Sequence, residues 1–458
     1  MTDLPAEIFK AYDIRGVVGK GLTNEIVERI GRSIGSEALD RDQSGIVVGR
    51  DGRLSSAELS ESLVEGLLAT GINVIDIGLV TTPMAYFAAH HLQVWNAVMV
   101  TGSHNPPDYN GLKVVLAGEA LYEEGIQSLR RRVAAGDLRN GRGEYRRHDV
   151  TEAYVLRIAG DVRLARPMKI LVDAGNGVAG AYAPALFRAL GCEVVEMFCE
   201  VDGNFPNHHP DPSVPDNMAA LVEKLGRGDA EIGLAFDGDG DRLGVVAKNG
   251  RIIYPDRLLM LFADDVLSRN PGALIIFDVK STRNLDKWIT DRGGKPMLWK
   301  TGHSVIKAKM KETGALLAGE MSGHVFIKER WYGFDDGLYA GARLLEYLSI
   351  QHSTDDTLNA LPDSACTPEL HIPIKTGEAH QFIAKIRDSA HFKGAIGVID
   401  IDGLRVEFED GFGLVRASNT TSSIVLRFEA ETVPALARIQ REIGNEIQRL
   451  VPWMALQV

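Results

Sequence analysis

Apolar residues recur along this chain in two alternating rhythms. Short apolar runs such as IVVGRD at 46–51 and NVIDIGLV at 73–80 are followed by stretches in which apolar residues return every third or fourth position. The first rhythm predicts buried strands and the second amphipathic helices. After 51, Ser55-Ser56-Ala57-Glu58 has the spacing of a capping box, Leu59, Leu63 and Leu67 carry the apolar face, and Gly71 closes the helix. A further helix is expected after Thr82-Pro83, and strand AVMV at 97–100 then leads into TGSHNPP at 101–107. The unit reads βαβαβ.

The same order returns twice. KILVDA at 169–174, a helix through ALFRALG, strand CEVVEMF, a helix around NMAALVEKLG and strand EIGLAF at 231–236 end in DGDGDR at 237–242. A third round runs ALIIFD, NLDKWITDRGG, KPMLW, SVIKAKMKETG and ALLAG, and ends in GEMSGH at 319–324. Alternating strands and helices make parallel or mixed sheets covered on both faces, with ligands outside the carboxyl ends of the strands. Three unusual loops therefore share one position in three similar α/β units. The remainder differs: ELHIPI, a helix near QFIAKIRD, closely spaced strand runs with turns, and a helix through Arg449 predict an α+β domain with an antiparallel sheet. The expected domains are 1–150, 151–252, 253–363 and 364–458.

Composition narrows the function. A chain of 458 residues with 45% hydrophobic and 24% charged residues should fold as several soluble globular cores. A formal charge of -12 argues against nucleic acid as a partner, since phosphate-backbone affinity needs a surplus of Lys and Arg. Cys192, Cys199 and Cys366 form no CxxC pair, so neither a zinc ribbon nor a disulfide framework is indicated, and a cytoplasmic protein is expected. The start, MTDLPAEIFK, does not have the pattern of a signal peptide. Residues 77–107 hold no Asp, Glu, Lys or Arg, but Pro83, His90, His91, Gln93 and Asn96 interrupt them, which predicts buried core and no membrane partner.

The loops carry candidate chemistry. Ser103 follows an apolar strand, in a loop whose two consecutive prolines exclude both helix and sheet ladder. Asp237, Asp239 and Asp241 alternate with glycines, so that three hard oxygen ligands can meet one divalent cation such as Mg2+. An EF-hand loop would want Gly at 242 and Glu at 248, where Arg242 and Lys248 stand. RASNTT at 416–421 offers a guanidinium with hydroxyl and amide donors, a cradle for phosphate. Glu320, Ser322 and His324 can hold a polyol by paired hydrogen bonds. Two rival readings remain at this level. GNGVAG at 175–180 fits GxGxxG with Glu193 or Glu196 further on, as an NAD-type oxidoreductase would require, and a non-catalytic sugar-phosphate or divalent-ion binding protein would use the same acidic loop.

Taken together and in this order, KAYDIRG at 10–16, TGSHNP, DGDGDR, GEMSGH and RASNT resemble the α-D-phosphohexomutases over the whole chain, and the GEMSGH form resembles their phosphomannomutase/phosphoglucomutase branch. The resemblance implies four domains round a central cleft and a serine that carries a phosphoryl group. Ser103 is then the phosphoserine, and Mg2+ is held by its phosphate with Asp237, Asp239 and Asp241. Glucose 1,6-bisphosphate is the activator, and hexose phosphates are the substrates of a monomeric enzyme. Lys113, Arg242 and His104 match acid/base and charge-stabilising positions. Glu320 and Ser322 match sugar-hydroxyl contacts, and Arg416, Ser418, Asn419 and Thr420 match the phosphate site. Tyr12, Arg15, Lys280, His303 and His324 match positions lining the cleft. The resemblance also implies a turning bisphosphate intermediate, and hence a moving last domain with a hinge near 360–370.

Overall fold

The computed structural model describes residues 4–375, 377–418 and 422–451. In the first unit, successive residues of strand Gly45–Arg50 point to opposite faces. Val47 enters one apolar cluster, while Ile46 and Val48 enter another. Burial on both faces is why the run reads as continuously apolar. This strand pairs in parallel with Asn73–Leu79 and Ala97–Val100, and Tyr109–Leu116 returns antiparallel beside the latter. Strand Ile14–Val17 then completes one edge against Tyr109–Leu116.

The second and third units repeat this arrangement. Strand Ile232–Phe236 lies parallel to Lys169–Asp173 and is followed by the antiparallel return strand Leu243–Ala247. Strand Leu317–Gly319 lies parallel to Leu274–Asp278 and is followed by the antiparallel Val325–Ile327. In all three units the loop of interest thus joins a parallel strand to its antiparallel neighbour, at the carboxyl end of the former. The last unit is an antiparallel sheet in the order Ala365–Cys366, Ser423–Ala430, Gly411–Ala417, Leu404–Phe408, Gly397–Ile399. Helices Glu378–Ser389 and Val433–Leu450 cover it through Phe382, Ile386, Ile439, Ile443 and Ile447.

One cluster of buried residues runs through the first three units, from Val47 and Met99 through Ile170 and Leu234 to Leu258, Ile275 and Leu361. Among the described residues it takes nothing beyond Leu361; the last unit has its own core, from Ala379 to Val451. The seam between the third and last units is mainly polar. Arg405 donates to the carbonyls of Val279 and Ser281 at 2.8 and 2.7 Å, and Thr282 donates to Glu429 at 2.6 Å. Asp256, Arg257, Arg427 and Glu429 form a buried ion network, and the apolar contribution is a small cluster of Val279, Phe412 and Leu414.

Two local expectations need comment. Helix Ser56–Leu68 forms, but Ser55 does not cap it: its Oγ accepts from Asn110 Nδ2 at 2.9 Å, while Ser56 Oγ donates to Asp51 at 2.5 Å. Both hydroxyls are drawn towards the neighbouring strand end in place of the helix's own amides. The uncharged stretch at 77–107 becomes the buried helix Thr82–His91 and the buried strand Ala97–Val100. No helix among the described residues is long and apolar enough to cross a membrane.

Candidate active site

Ser103 is buried and holds a left-handed backbone, φ +49°, uncommon for a non-glycine residue and a sign of local strain. Arg53 sustains it. Its guanidinium donates to the carbonyls of Ser103 at 2.7 Å, Pro106 at 2.6 Å, Tyr109 at 3.0 Å and Asn105 at 2.5 Å. Asp51 lies 3.4 Å from Arg53 Nε and accepts from the amide of Gly102. Asp51 and Arg53 close strand Gly45–Arg50, so the sheet of the first unit fixes the serine loop. Arg15 reaches the same loop through Asn105 Oδ1 at 2.8 Å.

The acidic loop meets this serine directly. Ser103 Oγ donates to Asp237 Oδ2 at 3.0 Å and lies 3.2 Å from His104 Nδ1. Gly238 is required here, because a Cβ would stand 2.3 Å from the carbonyl of Ser103. Asp237, Asp239 and Asp241 are fully buried, with ligand atoms within 4.8 Å of one another. Lys113 Nζ binds Asp239 at 2.7 Å and Asp241 at 2.5 Å, and Thr82 donates to Asp239 at 2.5 Å. Asp239 Oδ1 and Asp241 Oδ1 remain buried without a hydrogen-bond partner. Buried carboxylate oxygens left in this condition are costly, and a hard divalent cation satisfies them. The donor set therefore fits Mg2+.

Burial and the neighbouring Asp239 and Asp241 charges push the Asp237 carboxyl well above its ordinary range. Burial disfavours the Lys113 ammonium, yet Asp239 and Asp241 outweigh it and hold Lys113 well above its ordinary value. His104 moves the other way: burial first, then Arg242, Arg15 and Lys113, keep its imidazole well below the usual value. The acidic loop that meets Ser103 thus holds a cation on Asp239 and Asp241, while the imidazole beside the hydroxyl favours its neutral form.

The third loop closes onto the second. Leu243 donates its amide to Gly323 at 3.1 Å, and Arg242 Nε donates to His324 Nε2 at 3.1 Å. Glu320 Oε2 accepts from Ser322 Oγ at 3.2 Å, and its other oxygen accepts from the amide of Gly302. His324 Nδ1 lies 3.0 Å from Asp335, which also takes Lys307 at 2.9 Å, and the His303 ring stacks on His324 at 5.6 Å. A serine, three carboxylates and the loop of Glu320, Ser322 and His324, drawn from three repeated units, are thus linked by direct contacts.

The alpha/beta/alpha domains I, II and III described for the phosphoglucomutase/phosphomannomutase family match residues 6–140, 152–250 and 254–365, and that family's C-terminal domain matches 372–446. The chain belongs to this family. A phosphoglucomutase of Neisseria gonorrhoeae is 58% identical over 451 residues, covering 98% of each chain. A phosphomannomutase/phosphoglucomutase of Pseudomonas aeruginosa is 55% identical over 446 residues, covering 97% of this chain and 96% of its own. The crystal structure of a phosphoglucomutase/phosphomannomutase family protein from Burkholderia thailandensis superposes with a TM-score of 0.95 at 56% identity, covering 99% of this chain and all of that one (100%).

In this family member a further set of contacts joins the first, third and last domains. Arg416 is buried and pairs with Asp402 at 3.1 Å, and Asp402 also accepts from the amide of Thr301 at 3.0 Å. Tyr12 donates to the carbonyl of Thr301 at 2.6 Å and packs edge-on against His303 at 6.1 Å. Lys280 binds Glu369 at 2.7 Å. Ser418 donates its amide to Ser423 in the hairpin that carries Arg416. Asn419 and Thr420 lie outside the described residues.

The reading of the glycine-rich turn at 175–180 as a dinucleotide site is not favoured. A Cβ on Gly177 would stand 2.9 Å from Gly238 Cα, and one on Gly180 would stand 2.2 Å from the carbonyl of Cys199. These glycines admit the chain's own backbone, and the turn leads through a short 3-10 segment, Val178–Ala181, into helix Ala183–Ala189. Sequence reasoning passed over Asp51, Arg53, Thr82, Asp335 and Asp402. Their signal was present in part: charges directly after apolar strands, as in GRDGR and KERWYGFDD, are the ones a fold buries for positioning.

Proposed function

We propose that this phosphohexomutase-family chain interconverts the 1-phosphates and 6-phosphates of mannose and glucose, with Ser103 as the phosphoryl carrier. The observation that supports this most is the meeting of Ser103 Oγ with Asp237 at 3.0 Å beside two buried carboxylate oxygens that lack partners. In the proposed cycle the bond from phosphorus to Ser103 Oγ breaks as one to O6 of a hexose 1-phosphate forms. The O6 proton departs and the serine oxygen regains one. The resulting 1,6-bisphosphate turns over in the cleft, and its C1 phosphoryl group returns to Ser103, leaving hexose 6-phosphate.

Asp237, Asp239 and Asp241 would hold Mg2+, which when bound neutralises charge on the transferring phosphoryl group. Lys113 and Arg242 add fixed positive charge on the same side, which two phosphate-bearing reactants require. His104, kept neutral, is a hydrogen-bonding partner for the serine oxygen. Glu320 and Ser322 grip adjacent sugar hydroxyls, and Arg416 with Ser418, Asn419 and Thr420 holds the phosphate that is not being transferred. Tyr12, Arg15, Lys280, His303 and His324 line the path between the two ends. A sugar able to bind either way round needs one fixed phosphate site remote from the serine, and the last domain is suited to provide it.

Initial rates of hexose 6-phosphate formation from mannose 1-phosphate and glucose 1-phosphate, with Mg2+ and catalytic glucose 1,6-bisphosphate, test the reading. Turnover of both supports it; turnover of neither sinks it. The proposal extends to a monomeric, cytoplasmic enzyme, in keeping with three unpaired thiols. A sedimentation mass twice that of the chain, or recovery outside the cytosolic fraction, would contradict that part.

A further inference from the structure

The segment NFPNHHPDP at 204–212 belongs to the second domain, yet it is built against the serine loop of the first. Gly203 packs so closely there that a Cβ would stand 2.6 Å from the amide of Leu54 and 2.8 Å from Arg53 Cα. The Phe205 ring, itself at φ +51°, lies 5.1 Å from the guanidinium of Arg53. His209 Nε2 bonds the carbonyl of His104, the residue after Ser103. A carbonyl only accepts, so this nitrogen carries the proton. Since Arg53 occupies the carbonyls of Ser103, Asn105 and Pro106, every carbonyl from 103 to 106 is held by Arg53 or His209.

The segment has its own anchor. His208 Nε2 lies 3.0 and 3.1 Å from the two oxygens of Asp173, at the end of strand Lys169–Asp173, and its Nδ1 lies 2.9 Å from the carbonyl of His209. Both ring nitrogens face acceptors, an arrangement that favours the doubly protonated ring. A rigid chain thus runs from the second sheet through His208 and His209 to the serine loop. Phe198 ahead of the segment and Phe205 within it hold left-handed backbone, the kind of strain a fold retains where it fixes a functional geometry.

We propose that residues 202–212 form a latch from the second domain, and that His209 is a positioning residue for phosphoryl transfer: by tying down the His104 carbonyl it fixes where Ser103 Oγ stands relative to Asp237. His209 does not touch the reacting atoms, so its loss should slow transfer while leaving hexose phosphate binding unchanged. Small misplacements of a reacting atom cost rate steeply.

The test uses the full chain in its phosphorylated form and rests on the reading of Ser103 given above. Phosphoryl content is read by intact mass, and single-turnover transfer to mannose 1-phosphate by rapid quench. His209→Leu is expected to keep its phosphoryl group and its KM to within about twofold and to transfer about tenfold more slowly. His209→Gln, which restores a donor at the same reach, recovers most of the rate. Should His209→Leu not fold, Phe205→Leu decides: slower transfer at unchanged KM supports the latch, and a wild-type rate overturns it. Transfer at the wild-type rate in His209→Leu, equal slowing in His209→Gln, or KM rising in step with the loss of rate each overturns it. A wild-type enzyme that never carries phosphate on Ser103 overturns the reading of the site and the latch together. A phosphorylated wild type with an indifferent His209→Leu removes the latch alone.

Discussion

The first three domains and the last are held by different forces. Leu258, Ile275 and Leu234 belong to one apolar cluster that crosses two domain boundaries, whereas Arg405, Arg427 and Glu429 join the last domain through carbonyls and opposite charges. Apolar contact falls off steeply with separation and has no polar alternative in water. Ion pairs and hydrogen bonds can exchange with solvent at modest net change in free energy. The serine and the three carboxylates lie wholly within the apolar body, and Arg416 lies in the domain attached by polar contacts. If Ser103 carries the phosphoryl group and Arg416 holds the remote phosphate, as proposed, the chemistry sits in the body with the shared apolar core and the remote site in the domain joined to it by polar contacts.

The largest expected effect falls in the body with the shared core. Ser103→Ala should lower turnover by about a thousandfold or more with no change in melting temperature, since its hydroxyl is the proposed carrier; retained activity in a coupled assay would dissolve the contrast. Next, Leu258→Ala in the shared core should cost about 3 kcal/mol and loosen all three domains at once. Phe428→Ala should loosen only the last domain. Calorimetry with hydrogen exchange resolves the two, and a single common transition lost in both variants would refute separate bodies.

On the side joined by polar contacts, Arg416→Ala should raise the KM for hexose phosphate by roughly 10- to 100-fold, the worth of a charge-assisted phosphate contact, with a smaller loss of kcat. A kcat effect alone would place Arg416 away from bound substrate. Solution scattering should show a more compact particle with glucose 1,6-bisphosphate than without it, through motion about residues 360–370; identical profiles would argue for a fixed seam.

The smallest effect concerns the seam in acid. Burial raises the Glu369 carboxyl, but Lys280 outweighs it and brings it down to about 2. A depressed carboxylate contributes stability above its ordinary value near 4.5, and that contribution is lost as pH falls towards 2. The wild type should therefore lose attachment of the last domain between pH 4.5 and 2 more steeply than Glu369→Gln. Parallel acid profiles of the two would show that this pair does not hold the seam.

Periodicity made the strands and helices legible and put three unusual loops at one position in three repeated units, because both follow from local spacing; the cleft was implied by the family resemblance. The single-residue geometry was not. Ser55 has the spacing of a cap and spends its hydroxyl on Asn110. The glycines at 175, 177 and 180 match a phosphate-binding fingerprint and instead admit His208 and Pro210, Gly238, and Cys199 respectively. Arg53 and His209 act through carbonyls of a loop far along the chain, and no spacing rule links position 53 to 103 or 209 to 104. Long-range side-chain to backbone bonds of this kind become visible only when the sheets are assembled.

The shared core that ends at Leu361 also orders events during synthesis. A ribosome adding about 5–20 residues per second needs roughly 5–20 s to deliver the last domain after that point. During that interval Ser103, the acidic loop and the loop of Glu320 and Ser322 can already stand against one another in a closed apolar body. The last domain, with Arg416, is then added through its polar seam to a body already assembled.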